Sequence, residues 1–318
     1  ISKYEQCLIT ESSEAQAKSF PNRKVGVPLA LLAGVCWSLA GLVYRLIDSA
    51  SAWQVLFYRS ASLFMMLLVW LLIRYRSGLT VAMRYAGLPA LTGGICLSIA
   101  FTGYILALDN TSVANAMFAL AAAPFFTAIL ARIFLREDIS GKAWLAMCVA
   151  AIGLGIMTSG ELKGGNGLGN LFAIIAALGF SGMTIAVRSQ AGNDMLPTIL
   201  YASFFASVIS TFGVFSSGGQ FILLPIDMIY SISLGIFQIG LGFLLFTYAA
   251  HHLPAVELNL LSLTEVILGP ILVWIGVGEL PTSTTMIGGI FICSAVVIIA
   301  VFGTQQTTHT SRVKTPFS

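Results

Sequence analysis

The stretch "AGVCWSLAGLVYR", residues 33–45, has a counterpart later in the chain, "AALGFSGMTIAVR", residues 176–188. Each is an apolar run that ends in arginine and carries an aromatic residue followed by serine. The alignment pairs Trp37 with Phe180, Ser38 with Ser181 and Arg45 with Arg188. Because similarity at a fixed spacing marks a repeated structural unit, the chain is predicted to contain a duplication.

The same spacing relates later parts of the two halves. "AILARIFLRE" (128–137) falls on "PILVWIGVGE" (270–279), so that Glu137 and Glu279 both close a long apolar run. We predict a tail at 1–24, a first repeat at 25–160, a linker at 161–167, a second repeat at 168–303 and a tail at 304–318.

The composition indicates that lipid is the solvent for most of the chain. Of the residues, 57% are hydrophobic and only 9% are charged, whereas soluble proteins carry about 25% charged residues. The net charge of +3 is small and scattered, which argues against a nucleic-acid partner.

The apolar runs are long and unbroken, which predicts membrane-spanning helices rather than the alternating strands of a barrel. An all-α membrane protein with ten helices is expected, and the five-helix repeats must enter the membrane from opposite sides. The predicted helices are 25–44, 53–73, 85–107, 112–134, 142–159, 168–188, 196–215, 229–249, 254–277 and 283–303.

Lysine and arginine predict the orientation, because they are enriched in cytoplasmic loops. One set of loops and tails holds thirteen of them, and the opposite set holds only Arg45 and Lys163. Both termini are therefore expected in the cytoplasm, and the protein is expected to be a multi-pass protein of the inner, or cytoplasmic, membrane.

Inverted repeats are the usual architecture of secondary transporters, with the substrate site near the midplane between the halves. They allow two states of similar energy that open to opposite sides. A duplication that serves only structure is the alternative.

The sequence resembles the EamA type of the drug/metabolite transporter superfamily over residues 28–303. The stretches that carry the resemblance are the Trp37 region, "WQVLFYRS" (53–60), "AAAPFFTAILARIFLRE" (121–137) and "LTEVILGPILVWIGVGE" (263–279). The resemblance implies a ten-helix metabolite transporter, with export of amino acids or related compounds as the commonest activity. One departure is Val266, which stands where the repeat would place a proline.

Two carboxylates fall inside the predicted ninth helix, Glu265 near mid-membrane and Glu257 nearer its cytoplasmic end. An intramembrane charge is costly and usually faces a cavity or a partner. Glu265 is thus a candidate to carry a coupled proton or to bind a cationic group, and a hydrogen-bonded packing role is the alternative. Glu257 aligns with Asn115, so both positions are polar, although interfacial water could simply solvate Glu257.

Arg59 lies inside the predicted second helix and aligns with Ala202, so its role is not duplicated. It could bind a substrate carboxylate, pair with a glutamate or extend toward lipid headgroups. Pro124 and Pro270 each free a carbonyl four residues earlier and bend a helix, which makes them candidate hinges. A simple structural kink is the alternative.

A midplane pocket for an amphipathic metabolite needs apolar walls with a few polar groups. Trp37 and Phe180 are the first candidates because the repeat aligns them. The further candidates for the wall are Tyr104, Phe118, Tyr201 and Gln238.

Other classes of function find little support. "GFSG" (179–182) resembles an intramembrane serine protease motif, but no predicted helix supplies a histidine as its base. The sequence contains no filter-like segment of the kind that would indicate a channel. The cysteines lack paired spacing, so neither a disulfide scaffold nor a metal site is expected, and no cofactor is implied.

The sequence therefore predicts a secondary transporter, not an enzyme, that moves a small organic metabolite through the lipid bilayer by alternating access. Coupling to protons is one mechanism, and uncoupled exchange or import is the other.

Overall fold

The computed structural model describes residues 23–76, 79–135, 141–163, 167–188, 195–250, 252–253, 261 and 264–302. This part of the chain consists of helices and short connections and contains no β-strand. Residues 1–22 and 304–318 of the predicted tails lie outside the described residues, and so do Glu137 and Glu257.

Ten helices follow one another along the described chain. They are α1 (Arg23–Arg45), α2 (Ala52–Tyr75), α3 (Leu79–Asn110), α4 (Val113–Ala121, Ala123–Leu130 and a π-helical turn Ala131–Leu135), α5 (Gly141–Lys163), α6 (Gly167–Arg188), α7 (Leu196–Ser216), α8 (Pro225–Ser233, a π-helical segment Leu234–Leu241 and Gly242–Ala250), α9 (Thr264–Val277) and α10 (Ser283–Phe302). Seven of them, all but α5, α9 and α10, contain described segments long and apolar enough to cross a membrane.

The predicted class is confirmed: the protein is an all-α membrane protein built from two inverted five-helix repeats. The described helices follow the predicted ones, but α3, α5 and α8 are longer, and residues 254–260 and 262–263 of the predicted ninth helix lie outside the described residues. α5 ends at Lys163 rather than at 159. α8 begins at Pro225 rather than at 229, since proline fits the first turn of a helix. α3 begins at Leu79 rather than at 85 and bends at Gly87, whose φ is 58°. Glycine tolerates this backbone conformation, and the neighbouring Pro89 has no N–H to bridge the bend.

α2 shows why these helices suit lipid. Leu63, Leu67 and Leu71 recur at helical spacing and are fully buried, whereas Val69 and Ile73 on the opposite side are exposed. A helix that is apolar all round needs an apolar medium on its outer face. The bundle therefore buries one side of α2 and presents the other to hydrocarbon.

The two halves pack on each other in matching pairs. α3 packs along α6 and α7, and the corresponding helix of the second half, α8, packs along α1 and α2. α4 contacts α6 as α9 contacts α1, while α5 and α10 pack together. Gly103 allows α3 to approach α6 closely, because a Cβ there would lie 2.8 Å from the carbonyl oxygen of Phe172.

Candidate functional site

A cavity of ≈ 210 Å³ lies between the two halves of the bundle. A single buried water needs a cavity of roughly 10–15 Å³, so this cavity has room for a small organic molecule. Helices α1 to α4 line it from the first half, and α6, α8 and α9 line it from the second. The lining residues are Trp37, Arg59, Leu97, Ala100, Phe101, Tyr104, Met117, Leu120, Ala121, Ala123, Pro124, Phe180, Gln238, Ile239, Phe243, Glu265 and Val266.

The cavity follows the symmetry of the repeat. A shift of 142 or 143 positions maps several lining residues of the first half onto lining residues of the second. These pairs are Trp37 with Phe180, Leu97 with Ile239, Phe101 with Phe243, Ala123 with Glu265 and Pro124 with Val266. The cavity is therefore shared by equivalent positions of both halves, as in transporters whose site lies between inverted repeats.

Arg59 is the cation of this cavity. Its side chain is only 3% exposed, and its guanidinium carbon lies 5.1 Å from the centre of the Phe101 ring. Nε and Nη1 have no hydrogen-bond partner among the described residues. The stacking on Phe101 gives a favourable cation–π contact but satisfies none of the N–H groups in their plane.

α8 packs closely against α2 at Arg59. A Cβ on Gly235 would overlap the carbonyl of Arg59 and the hydroxyl of Ser62. Gly235 lies in the π-helical segment Leu234–Leu241, which also brings Gln238 and Ile239 to the cavity. Such π-helical insertions often occur at functional sites, because the extra residue changes which side chains face inward.

Glu265 supplies the carboxylate of the cavity and is partly exposed there. Its backbone nitrogen would lie 3.6 Å from a Cβ on Gly34, which is at the middle of α1. This contact puts Glu265 at the level of the middle of α1. Neither Glu265 nor Arg59 forms an ion pair within the described part of the chain.

Tyr104 lines the same cavity as the two charged residues, Glu265 and Arg59. Its hydroxyl has no hydrogen-bond partner among the described residues. Gln238 adds a second unsatisfied group: Oε1 has no partner, while Nε2 lies 3.5 Å from the carbonyl oxygen of Trp37. The cavity thus holds separated charges together with buried polar atoms that lack protein partners.

Aromatic and aliphatic side chains form the rest of the wall. The Trp37 ring contacts Phe243 edge-on, with ring centres 5.2 Å apart, and also contacts Phe246 at 5.3 Å. Trp37 packs against Gly242 of α8, where any side chain would displace it. The walls suit an apolar part of a ligand, and the few polar groups would fix its orientation.

α4 breaks beside the cavity at Ala122, just before Pro124. Ser181 of α6 lies within hydrogen-bond distance of the carbonyl oxygen of Ala123 at 2.8 Å, and of Ala177 at 2.7 Å. The break is therefore held by a hydroxyl from the other half. Pro270 lies inside α9 and not on the cavity wall.

The structure brings together seven of the predicted site residues at the cavity: Trp37, Arg59, Tyr104, Pro124, Phe180, Gln238 and Glu265. Three others lie elsewhere. Asn115 is buried and donates to Thr111 Oγ1 at 3.1 Å and to Asn170. Phe118 packs against Gly289 of α10, and Tyr201 packs against Gly94 of α3.

Sequence reasoning missed Leu97, Ala100 and Met117, among other apolar lining residues. A signal was present for α3, because positions 97, 100, 101 and 104 share one helical face. For α8 the repeat supplied a signal, because Ile239 and Phe243 align with Leu97 and Phe101, although the π-helical segment changes the local register.

Polar contacts join the two halves of the bundle at the face where α1 ends. Arg45 donates from Nε to Glu279 Oε2 at 2.6 Å and from Nη1 to the Leu108 carbonyl at 2.7 Å. Glu279 Oε1 also accepts from the backbone N–H of Val113 at 2.8 Å. Asp227 of α8 accepts from the backbone and hydroxyl of Ser49. These contacts tie the two halves together at this face of the bundle.

Among the described residues, no group of three or more His, Cys, Asp or Glu side chains could hold a metal ion. The described cysteines Cys36, Cys96, Cys148 and Cys293 are free thiols.

The inverted repeats and the shared cavity define a multi-pass membrane transporter for small molecules. The chain belongs to the EamA-like transporter family, whose model matches residues 24–159 and again residues 167–301. The two relatives described next are named as transporters.

Similar proteins transport in both directions. The chain is 25% identical over 224 residues to the S-adenosylmethionine uptake transporter of Rickettsia prowazekii (strain Madrid E), covering 67% of this chain and 70% of that relative. It is 22% identical over 280 residues to the pseudopaline exporter CntI of Pseudomonas aeruginosa, covering 87% and 96%. A protein known from a crystal structure shares the fold with a TM-score of 0.61 at 15% identity, over 88% of this chain and 98% of the other.

Proposed function

We propose that the protein is a proton-coupled exporter of a small organic metabolite, an amino acid or a related compound, that works by alternating access. The observation that carries this proposal is Glu265, a carboxylate without an ion-pair partner among the described residues on the wall of a cavity shared by the two repeats. Few other charges occur inside the described helices, and intramembrane charges usually serve transport.

Competition at Glu265 supplies the coupling. The carboxylate can hold either a proton or a cationic group of the substrate, but the two exclude each other. When the cavity opens outward, a proton displaces the substrate, and when it opens inward, the proton leaves and substrate binds. Proton entry then drives substrate export, with one carboxylate serving both steps.

The contacts at the face where α1 ends support one state of this cycle. Arg45, Glu279 and Asp227 join the two halves there, and under the predicted orientation this face would be the outer one. The bend at Gly87 and the break beside Pro124 are places where α3 and α4 can change their angle. Opening the outer face requires the Arg45–Glu279 contact to break.

The test is transport in proteoliposomes loaded with a pool of amino acids and related metabolites. Release is measured by mass spectrometry with and without a pH gradient for the parent, Glu265→Gln and the control Asp48→Asn, which removes an exposed carboxylate outside the cavity. We expect the gradient to accelerate release by the parent and by the control but not by Glu265→Gln. Unchanged gradient dependence in Glu265→Gln would show that Glu265 does not couple.

Import or uncoupled exchange is the second candidate, because one relative is named for uptake. Uncoupled exchange predicts that external substrate accelerates release equally in the parent and in Glu265→Gln, with no effect of the gradient. The same vesicles distinguish the two mechanisms.

A further inference from the structure

We propose that Arg59 and the hydroxyl of Tyr104 form an anion-binding subsite, so that the transported metabolite is a zwitterion with an apolar side chain. Its anionic group binds Arg59 and its cationic group binds Glu265. This inference rests on the proposed transport function and adds the chemical class that the cavity selects.

The first argument is the buried donors. Arg59 is 3% exposed and Tyr104 is 6% exposed, yet Arg59 Nε, Arg59 Nη1 and the Tyr104 hydroxyl have no hydrogen-bond partner among the described residues. Buried polar groups are nearly always paired, and a buried charge is costly when it is not. An anionic ligand in the cavity would accept hydrogen bonds from these donors at once.

Within the described surroundings of Arg59, neither lipid headgroups nor an acidic side chain binds its guanidinium. The guanidinium does not reach toward headgroups, because it lines the cavity and stacks on Phe101 at 5.1 Å. It does not neutralise Glu265, since the described residues contain no ion pair between them. Arg59 Nε and Nη1 have no partner among the described residues, and a guanidinium can bind a carboxylate through two of its N–H donors at once.

The second argument is the separation of the two charges. Arg59 and Glu265 both line the cavity, yet no ion pair joins them among the described residues. A ligand with an anionic and a cationic group can therefore neutralise both ends of the cavity. A ligand with one charge would leave the opposite protein charge buried and uncompensated.

The remaining wall selects the body of the ligand. Trp37, Phe101, Phe180 and Phe243 line the cavity along with aliphatic side chains. Gln238 Oε1 is an acceptor without a partner, and it adds a place for a donor group of the ligand. An apolar side chain against the aromatic wall completes the match.

The test uses matched triplets in which an amino acid is compared with the same skeleton lacking one charge. The probes are leucine, phenylalanine, methionine and tryptophan, each beside its decarboxylated amine and its deaminated acid. Purified protein in proteoliposomes is assayed for release of each compound. We expect at least one amino acid to be carried with an apparent affinity at least about tenfold above that of both analogues.

Variants assign this selectivity to the subsite. Arg59→Gln should weaken transport of the amino acid by about tenfold or more while leaving the residual transport of the amine unchanged. Tyr104→Phe, which removes only a hydroxyl, should also weaken transport of the amino acid more than that of the amine, but to a smaller extent. It provides a second test in case Arg59→Gln does not fold. Arg84→Gln is the control, because Arg84 is exposed on α3 outside the cavity.

The outcomes separate this inference from the proposed function. Transport of amines, acids or neutral compounds in preference to zwitterions overturns the zwitterion inference and leaves the transporter intact. An equal loss for all three members of a triplet in both Arg59→Gln and Tyr104→Phe gives these residues a structural role and also overturns it. A folded parent protein that moves no compound from the pool or the triplets contradicts the proposed function, and the zwitterion inference fails with it.

Discussion

Arg45 donates from Nε to Glu279 Oε2 at 2.6 Å and so joins the end of α1 to the segment after α9. The two side chains are each 25% exposed, and both also bind backbone groups, at Leu108, Thr111 and Val113. The contact is thus a small network at one face of the bundle rather than an isolated surface pair.

Glu279→Gln should loosen this face. The ion pair at such exposure is worth about 1 kcal/mol, so the population open at this face should rise by up to about fivefold. The measurement is labelling of Ala100→Cys, a cavity position, by a membrane-impermeant maleimide applied from each side in a background without other cysteines. A charge exchange, Arg45→Glu with Glu279→Arg, should restore closure only in part, because neither new side chain reproduces the backbone hydrogen bonds. Full restoration would contradict the role given to Leu108, Thr111 and Val113.

Gly235→Ala should destabilise the protein. The added methyl would overlap the Arg59 carbonyl and the Ser62 hydroxyl, and overpacking of this kind costs about 1–3 kcal/mol. The measurement is the midpoint of thermal unfolding in detergent. Gly155→Ala in α5 is the matched control, since a Cβ there meets nothing within 4 Å. Equal midpoints for the two variants would show that α2 and α8 can separate without cost.

Asn115→Ala should lower stability without changing substrate selectivity. Asn115 is buried and pairs with Asn170 and Thr111 outside the cavity, and a buried amide left alone costs about 1–3 kcal/mol. The double variant with Asn170→Ala should lose less than the sum of the two single losses. Denaturation midpoints and the relative transport of the amino-acid triplets are measured together. A change in selectivity with normal stability would place Asn115 at the substrate site after all.

Pro124→Ala should slow transport more than it changes apparent affinity. Alanine supplies an N–H that can bond the Leu120 carbonyl, and the break at Ala122 would then straighten. The measurement is the maximal rate and the half-saturating concentration in proteoliposomes. Pro197→Ala is the comparison, because Pro197 lies in the first turn of α7, where proline disturbs no hydrogen bond. Similar kinetics in both variants would assign Pro124 a purely structural bend.

The class of fold and much of the cavity could be predicted because hydrophobic length and repetition are written directly into the chain. The repeat aligned Trp37 with Phe180, and rare intramembrane charge selected Arg59 and Glu265. Asn115 and Tyr201 could not be sorted in this way, because a polar or aromatic residue at an interface between helices has the same local pattern as one at a cavity. The π-helical segment around Gln238 also lacks a signature, since its register depends on packing against α2.

Glu265 aligns with Ala123 in the first repeat, and Arg59 aligns with Ala202 in the second. Each half therefore contributes one charge, and alanine stands at the equivalent place in the other half. The halves share a backbone plan but can no longer replace each other. A chain built from two first halves would bury two arginines and no carboxylate, and one built from two second halves would bury two glutamates and no cation. Both halves are therefore needed to supply the two charges of the cavity.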